Sequence, residues 1–172
     1  QSDPVKLTTS GGSFNTFKQT AEISLSTSKS KFYLYSDYYQ TQGPSLLIES
    51  DKATKLFGDS YSSSPGYTTE GASYYTLQPF FSSGNLSFTG FFQGLQTECP
   101  IGVSLALTDG DDIKSYIGFG ELKYNIPINK KLNVQIKGYS DYYHYDALYE
   151  IFSEKTTQIF SDAYPQTPFP AG

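Results

Sequence analysis

A turn rich in carboxylates is the most specific candidate for chemistry in this sequence. The segment Thr108-Asp109-Gly110-Asp111-Asp112 places three acids, Asp109, Asp111 and Asp112, around one glycine. Side-chain oxygens that converge on a turn are ligands that Ca²⁺ prefers. The segment lacks the spacing of an EF-hand loop, however, and Asp-Gly is also a common turn between two strands. The pattern therefore supports two interpretations, a calcium site at the three acids or a solvated turn.

Other groups that could catalyse a reaction are sparse. Cys99 is the only cysteine and His144 the only histidine, and no local motif pairs them as nucleophile and base. Three glutamates in predicted strands could supply the paired carboxylates of a glycosidase. They are Glu22, Glu49 and Glu121. Because the chain has no Trp to stack on a sugar and no coherent catalytic set, we expect a protein that is not an enzyme.

The pentapeptide Tyr-Ser-Asp-Tyr-Tyr occurs twice, at 35–39 and at 139–143. Alternate side chains of a strand share a face, so each copy should present two tyrosines and one aspartate together. These candidate binding residues are Tyr35, Asp37, Tyr39, Tyr139, Asp141 and Tyr143. Such a face could stack on a sugar, contact another subunit or lie at a membrane boundary. Ordinary packing of tyrosines across a sheet is the remaining interpretation.

The elements that would position these residues are strands. Alternating apolar residues bounded by Gly, Pro, Ser or Asp recur along the chain, and helical periodicity is nearly absent. Predicted strands cover 5–9, 17–27, 31–42, 45–50, 74–81, 85–96, 101–107, 113–128 and a segment from 132. Residues 51–71 have no sustained period and should form a long surface loop, while 147–160 fit either a helix or a pair of strands.

This pattern predicts an all-β fold, an antiparallel, jelly-roll-like β-sandwich with long surface loops and at most one short helix. An up-and-down β-barrel is the alternative. We expect an N-terminal strand with a flexible Gly/Ser linker at 1–13, a single β domain at 14–162 and an extended Pro-rich tail at 163–172. Val5 and Leu7 of the first strand could be donated to the sheet of a neighbouring copy, or could begin the chain's own sheet.

The composition argues against some classes of binding partner and favours an extracellular location. Twelve Lys, no Arg and seventeen acids give a net charge of −5, which argues against binding of nucleic acid. No apolar stretch is long enough for a transmembrane helix. The absence of Met suggests a processed N-terminus, and we expect that a secretion signal has been removed. One cysteine and no methionine suit an oxidising, extracellular setting.

Together these features favour a secreted or cell-surface structural protein that is not an enzyme. We expect a homo-oligomer or polymer, the subunit of an extracellular filament or layer, assembled by donation of the first strand and stabilised by calcium. A carbohydrate-binding β-sandwich that recognises a glycan through its tyrosines is one alternative. An outer-membrane β-barrel is another.

Overall fold

The computed structural model describes residues 4–68, 70–102, 104–108, 111–153 and 156. Nine strands, one short α-helix and one 3₁₀ turn are present in this part of the chain. The long strands are β1 (Val5–Gly12), β2 (Thr16–Ser26), β3 (Ser30–Thr41), β6 (Ala72–Ser83), β7 (Leu86–Glu98), β8 (Asp112–Asn129) and β9 (Leu132–Leu148). The short elements are β4 (Leu47–Ile48), α1 (Lys52–Phe57), the 3₁₀ turn (Asp59–Tyr61) and β5 (Gly66–Tyr67). The chain divides into two compact units.

Unit 1 consists of residues 1–41, 72–96 and 114–146 and is built on one antiparallel sheet of seven strands. The strand order is β1-β2-β3-β6-β7-β8-β9, so each strand lies beside the next long strand of the chain. β1 and β9 are the two edges, and the sheet does not close on itself. The closed alternative considered for the sequence is therefore not the fold of the described residues.

The sheet of unit 1 exposes an unusual amount of apolar surface. Its strands alternate as the sequence predicts, yet no large hydrophobic side chain in its described part is fully buried. The buried side chains near its centre are polar, those of Asp37 and Thr76. The edge strand β9 is exposed at every position except Ala147. Large exposed apolar surfaces on proteins commonly mark sites of interaction.

Unit 2 consists of residues 42–71, 97–113 and 147–172 and contains the buried apolar side chains of the described chain, those of Ala53, Ala106 and Leu107. Helix α1 begins after Asp51, whose side chain accepts a hydrogen bond from the Thr54 N–H at 2.8 Å. This is the usual capping of a helix N-terminus by an aspartate. The strands β4 and β5 pair antiparallel as a separate small sheet.

The prediction of an all-β, antiparallel chain with long loops and at most one short helix is confirmed. Two local predictions were wrong. The described residues of the predicted strand 101–107 form no strand: a single bridge pairs Ile101 with Leu107, and Leu105 has a φ of 60°, so alternation here does not reflect a strand. The predicted loop at 51–71 contains α1, the 3₁₀ turn and β5, because the Asp51 cap starts a helix too short to show a period.

The predictions for the N-terminal linker and for the segment from residue 147 differ from the structure in separate ways. Residues 10–12, predicted as a flexible linker, continue β1 and pair with Lys18, Phe17 and Thr16 of β2. β9 extends to Leu148, so the possible helix cannot begin at 147. Residues 149–153 belong to neither a helix nor a strand, and 154–155, 157–160 and the Pro-rich tail at 163–172 lie outside the described residues.

No helix among the described residues has both the length and the apolar character required to cross a bilayer.

Candidate functional site

The first copy of the repeat builds a polar cluster at the centre of the sheet. Asp37 on β3 is only 6% exposed, and its Oδ1 accepts a hydrogen bond from Thr20 Oγ1 at 2.8 Å. Lys18 Nζ lies 3.4 Å from Asp37 Oδ2. Tyr39 stacks on Tyr74 of β6 with ring centroids 5.0 Å apart. We call these residues, together with Tyr35, the Asp37 cluster.

The electrostatics of the Asp37 cluster favour a fixed network over a proton-transfer site. A hydrogen bond with Tyr74 and the negative charge of Asp37 raise the pKa of Lys18 above its ordinary value. Burial, and after it the charge of Asp37, raises the pKa of Tyr35. Lys18 therefore stays protonated and Tyr35 stays neutral through the physiological range, which is the opposite of what general acid–base catalysis needs.

The second copy of the repeat lies on the edge strand β9 and is open to solvent. Tyr139 is 72% exposed and Tyr143 is 69% exposed, and Asp141 lies between them. Lys137 Nζ sits 5.9 Å from the centre of the Tyr139 ring and also pairs with Glu121 on β8. The Tyr139 ring is thus held beside a cation while its surface remains accessible.

The two copies share a face of the sheet but do not form one site. On that face, Gln93 of β7 bonds to Thr76 of β6, and Phe91 of β7 stacks on Phe119 of β8. The Glu121–Lys137 pair completes this link to β9, and alternation then places Tyr139, Asp141 and Tyr143 beside Lys137 on the same side. Because β6, β7 and β8 separate β3 from β9, the copies are four strand spacings, about 19 Å, apart. We call this side the Asp37 face.

The opposite side of the sheet carries a shallow apolar groove of about 340 Å³, and we call this side the groove face. Its walls include Phe88, Phe92 and Tyr142, and the Phe92 and Tyr142 rings stack with centroids 6.3 Å apart. Gly118 lies beneath Phe92, where an added Cβ would stand 2.8 Å from the ring. Glycine at this position lets the Phe92 ring approach the backbone of β8 closely.

The acidic turn is only partly described. Asp109 lies outside the described residues, Asp112 begins β8, and Asp111 in the loop before it is 3% exposed. The described residues contain no group of three or more His, Cys, Asp or Glu side chains placed to hold a metal ion. The structure therefore does not test the three-carboxylate calcium site.

The candidate catalytic residues are dispersed over the chain. His144 stacks on Tyr116 of β8, and the Cys99 N–H donates to the Asp111 carbonyl at 3.3 Å. Glu22 pairs with Lys6, and Glu49 is exposed. β2 and β8, which carry Glu22 and Glu121, are four strand spacings apart, about 19 Å. Glycosidase carboxyl pairs lie within about 10 Å of each other, so these two acids do not form one.

Lysines hold Glu121 in place. Hydrogen bonds from Lys123 and then from Lys137 lower the pKa of Glu121 below its ordinary value. Both lysines form ion pairs with its carboxylate. Glu121 thus acts as a cross-strand tie between β8 and β9 on an exposed surface.

A buried polar network in unit 2 is the site that sequence patterns missed. Asp51 Oδ2 accepts hydrogen bonds from Ser62 Oγ and from the Leu107 N–H, the latter at 2.7 Å. Ser62 in turn contacts Ser64, and Ser64 Oγ lies 2.6 Å from Thr54 Oγ1. The available signal was Asp51 directly before a run of helix formers; its partners at 62 and 107 are too distant in sequence for any local pattern to reveal.

The charge of Asp51 is stabilised by these donors. Burial alone would raise the pKa of Asp51, but hydrogen bonds from Ser62 Oγ and the N–H groups of Thr54 and Leu107 outweigh it and lower the pKa to about 2. The network joins the start of α1 to the loop that contains Leu107. Because Ser62 Oγ and two backbone N–H groups bond to one ionised carboxylate, the network stabilises this part of the fold.

No protein-family model, curated protein or solved structure matches this chain in sequence or fold.

Proposed function

We propose that this protein is an extracellular structural subunit, not an enzyme, that assembles with copies of itself by pairing the edge strands β9. The observation that carries the proposal is the edge itself. β9 is 17 residues long, is exposed along almost its whole length and has no neighbouring strand on its outer side in the described sheet. Long, unprotected edges are templates for pairing with another chain.

The sequence of β9 is complementary to itself when two copies run antiparallel about Tyr139. In that register Lys137 of each copy lies opposite Asp141 of the other, which gives two opposite-charge pairs. Ile136 lies opposite Tyr142, so apolar side chains also meet. A two-fold axis through Tyr139 makes the contact isologous, the commonest symmetry of protein dimers.

Pairing of this kind would use features already present on the Asp37 face. The exposed Tyr139 rings of the two copies would lie side by side at the two-fold axis, and each Tyr143 would lie opposite Gln135 of the other copy, where tyrosine supplies contact area at a low entropic cost. Lys137 can bond to Glu121 and to Asp141 of the second copy together, because its ammonium group has three donors. The β1 edges, with Val5 and Leu7, would remain at the two outer ends, so pairing there would extend two copies into a layer. Since β1 pairs with its own β2, strand donation is not the mode that we propose.

Charge inversion tests the β9 register. Asp141→Lys would place like charges opposite each other twice, and we expect the dimer dissociation constant to rise about tenfold. The double variant Lys137→Asp with Asp141→Lys restores opposite charges and should recover most of the affinity. Asp59→Lys makes the same charge change at an exposed residue of unit 2 and should have no effect.

Sedimentation velocity over a range of protein concentrations gives the measurement. The proposal fails if the wild-type chain stays monomeric throughout, or if Asp141→Lys associates as tightly as Asp59→Lys. Asp59→Lys changes the net charge by the same amount as Asp141→Lys, so a difference between these two variants separates a specific register from a general effect of net charge.

A second candidate function, glycan binding, is favoured by the Tyr39–Tyr74 stack. The half-buried Tyr39 and Tyr74 rings stack on each other near Gln93, so an aromatic pair adjoins a side-chain amide that can bond to hydroxyls. Tyr74→Ala should abolish binding on a glycan array, whereas Asp141→Lys should leave it unchanged. An array with no wild-type signal removes this candidate.

A further inference from the structure

Thr108 Oγ1 and Asp111 Oδ2 are among the buried oxygens of unit 2 that lack a hydrogen-bond partner within the described part of the chain. Thr108 Oγ1 belongs to a side chain that is 1% exposed, and Asp111 Oδ2 to one that is 3% exposed. Polar groups buried in this way are rare in folded proteins and call for a specific partner. An unmatched carboxylate oxygen is the costlier of the two, because it carries negative charge.

Both oxygens converge on one point beside Gly102. A Cβ built on this glycine would stand 3.2 Å from Asp111 Oδ2 and 3.4 Å from Thr108 Oγ1, and it would also meet the backbone carbonyl oxygen of Glu150. Three oxygens, one carboxylate, one hydroxyl and one carbonyl, therefore lie close to the Cα of Gly102, where no side chain separates them. This is a mixed set of hard ligands with no nitrogen or sulfur.

The second oxygen of the Asp111 carboxylate is already fixed. Asp111 Oδ1 accepts a hydrogen bond from the Glu150 N–H, so the carboxylate has one defined orientation. The Asp111 carbonyl accepts from the Cys99 N–H, and the Thr108 N–H donates to the Pro100 carbonyl at 3.2 Å. These hydrogen bonds fix the backbones of Asp111 and Thr108. The side-chain oxygens of both residues are therefore positioned before any ligand binds.

We propose that Asp111 Oδ2, Thr108 Oγ1 and the Glu150 carbonyl oxygen bind one Ca²⁺ ion. Calcium accepts carboxylate, carbonyl and other oxygen ligands in irregular geometry and completes its shell with water, whereas Mg²⁺ requires a near-ideal octahedron. The site shares only Asp111 with the acidic turn at 109–112 and needs neither of the other two acids. It is independent of the pairing of β9, because every ligand belongs to unit 2.

A single carboxylate predicts weak binding, comparable to the calcium sites of extracellular modules, with dissociation constants of about 10⁻⁴ to 10⁻³ M. Bound calcium would link the loop that carries Thr108 and Asp111 to the segment after β9 that carries Glu150. We therefore expect Ca²⁺ to raise the melting temperature of the full chain more than Mg²⁺ does at equal concentration and ionic strength.

Terbium luminescence excited through tyrosine, followed by displacement with Ca²⁺, tests the site without relying on stability. Thr108→Val preserves the shape of the side chain and removes one ligand, so it should weaken binding at least about tenfold. Asp111→Asn keeps an acceptor for the Glu150 N–H while removing the charge, and it should also weaken binding. Asp112→Asn changes an acid of the predicted turn and should bind Ca²⁺ within about threefold of the wild type.

Three outcomes would overturn the proposal. The first is no terbium binding and no thermal shift of the wild type with Ca²⁺ at about 10 mM, well above the weakest expected dissociation constant. The second is loss of binding in Asp112→Asn with wild-type binding in Thr108→Val, which would place the ion at the acidic turn. The third is a Thr108→Val variant that is more stable than the wild type and binds Ca²⁺ equally well, which would make its hydroxyl an unmatched group and not a ligand.

Discussion

Substitution of Asp51 by asparagine isolates the buried network of unit 2. The carboxylate accepts three hydrogen bonds, from the Thr54 N–H, the Leu107 N–H and Ser62 Oγ. Asparagine keeps one carbonyl oxygen but replaces the other oxygen with an NH₂ donor, so at least one buried donor would face another donor. We expect Asp51→Asn to lower the free energy of unfolding by about 3 kcal/mol at neutral pH.

The pH dependence follows from the depressed pKa of Asp51. Its pKa falls from the ordinary value of 3.8 to about 2 in the folded chain. At 1.36 kcal/mol per pKa unit, the ionised carboxylate contributes about 2 kcal/mol of stability. This contribution is fully present above pH 3.8 and is lost as the pH falls through about 2, because the folded state must then take up a proton that the unfolded state already holds. The difference between wild type and Asp51→Asn should shrink from about 3 to about 1 kcal/mol over that range.

Urea unfolding followed by circular dichroism, at pH 6 and at pH 2, measures both quantities. Hydrogen exchange of the Leu107 amide reports the opening of unit 2 itself. It therefore distinguishes unfolding of unit 2 from a separate unfolding of the sheet. Asp59→Asn, at an exposed acid in the same segment, is the matched control and should change little at either pH. A stability difference for Asp51→Asn that is the same at both pH values would refute the reasoning.

Three further predictions concern the sheet of unit 1. Asp37→Ala should lower the free energy of unfolding by about 1 to 2 kcal/mol, because Thr20 Oγ1 loses its acceptor. A change below about 0.5 kcal/mol in urea unfolding would contradict this. Gly94→Ala should cost about 1 to 3 kcal/mol, since the new Cβ would stand 2.5 Å from the Tyr75 ring, and an equal cost in a Tyr75→Ala background would disprove that contact. Tyr35 should ionise above the ordinary pKa of 10.0 and make the fold less stable as the pH rises past that value, and an ultraviolet absorbance difference between wild type and Tyr35→Phe with a midpoint at or below 10.0 would count against it.

Sequence patterns predicted the long strands because their signal is local. Ala21, Ile23 and Leu25 alternate with polar residues, and this period is enough to identify β2 wherever it lies in the sheet. The period of two also places Tyr35 on the same face of its strand as Asp37, and Tyr139 on the same face of its strand as Asp141. What alternation cannot give is strand order, so the distance of four strand spacings between the two copies of the repeat became visible only in the fold.

The loops of unit 2 were the least predictable part. Val103, Leu105 and Leu107 alternate like a strand, yet the loop is held by buried bonds to Asp51 and Ser62, which lie 56 and 45 residues from Leu107. Tertiary contacts of this separation leave no periodic signal. For the same reason Thr108 and the Glu150 carbonyl could not be linked to Asp111 from sequence, whereas Asp111 itself stood out through its neighbouring acids.

The division of unit 2 into three chain segments has a consequence for the order of folding. Its segments are separated by the hairpins β6–β7 and β8–β9. Hydrogen bonds from Thr156 to Ser60 and from Glu150 to Asp111 join the last segment to the earlier ones. During synthesis from the N-terminus, the strands β1 to β3 can pair as soon as they emerge, since their contacts are short in sequence. Unit 2 must wait until Glu150 and Thr156 have been made, and its loop around Asp111 stays without the Glu150 partner until then. We therefore expect the sheet to form first and unit 2 to close as the final step.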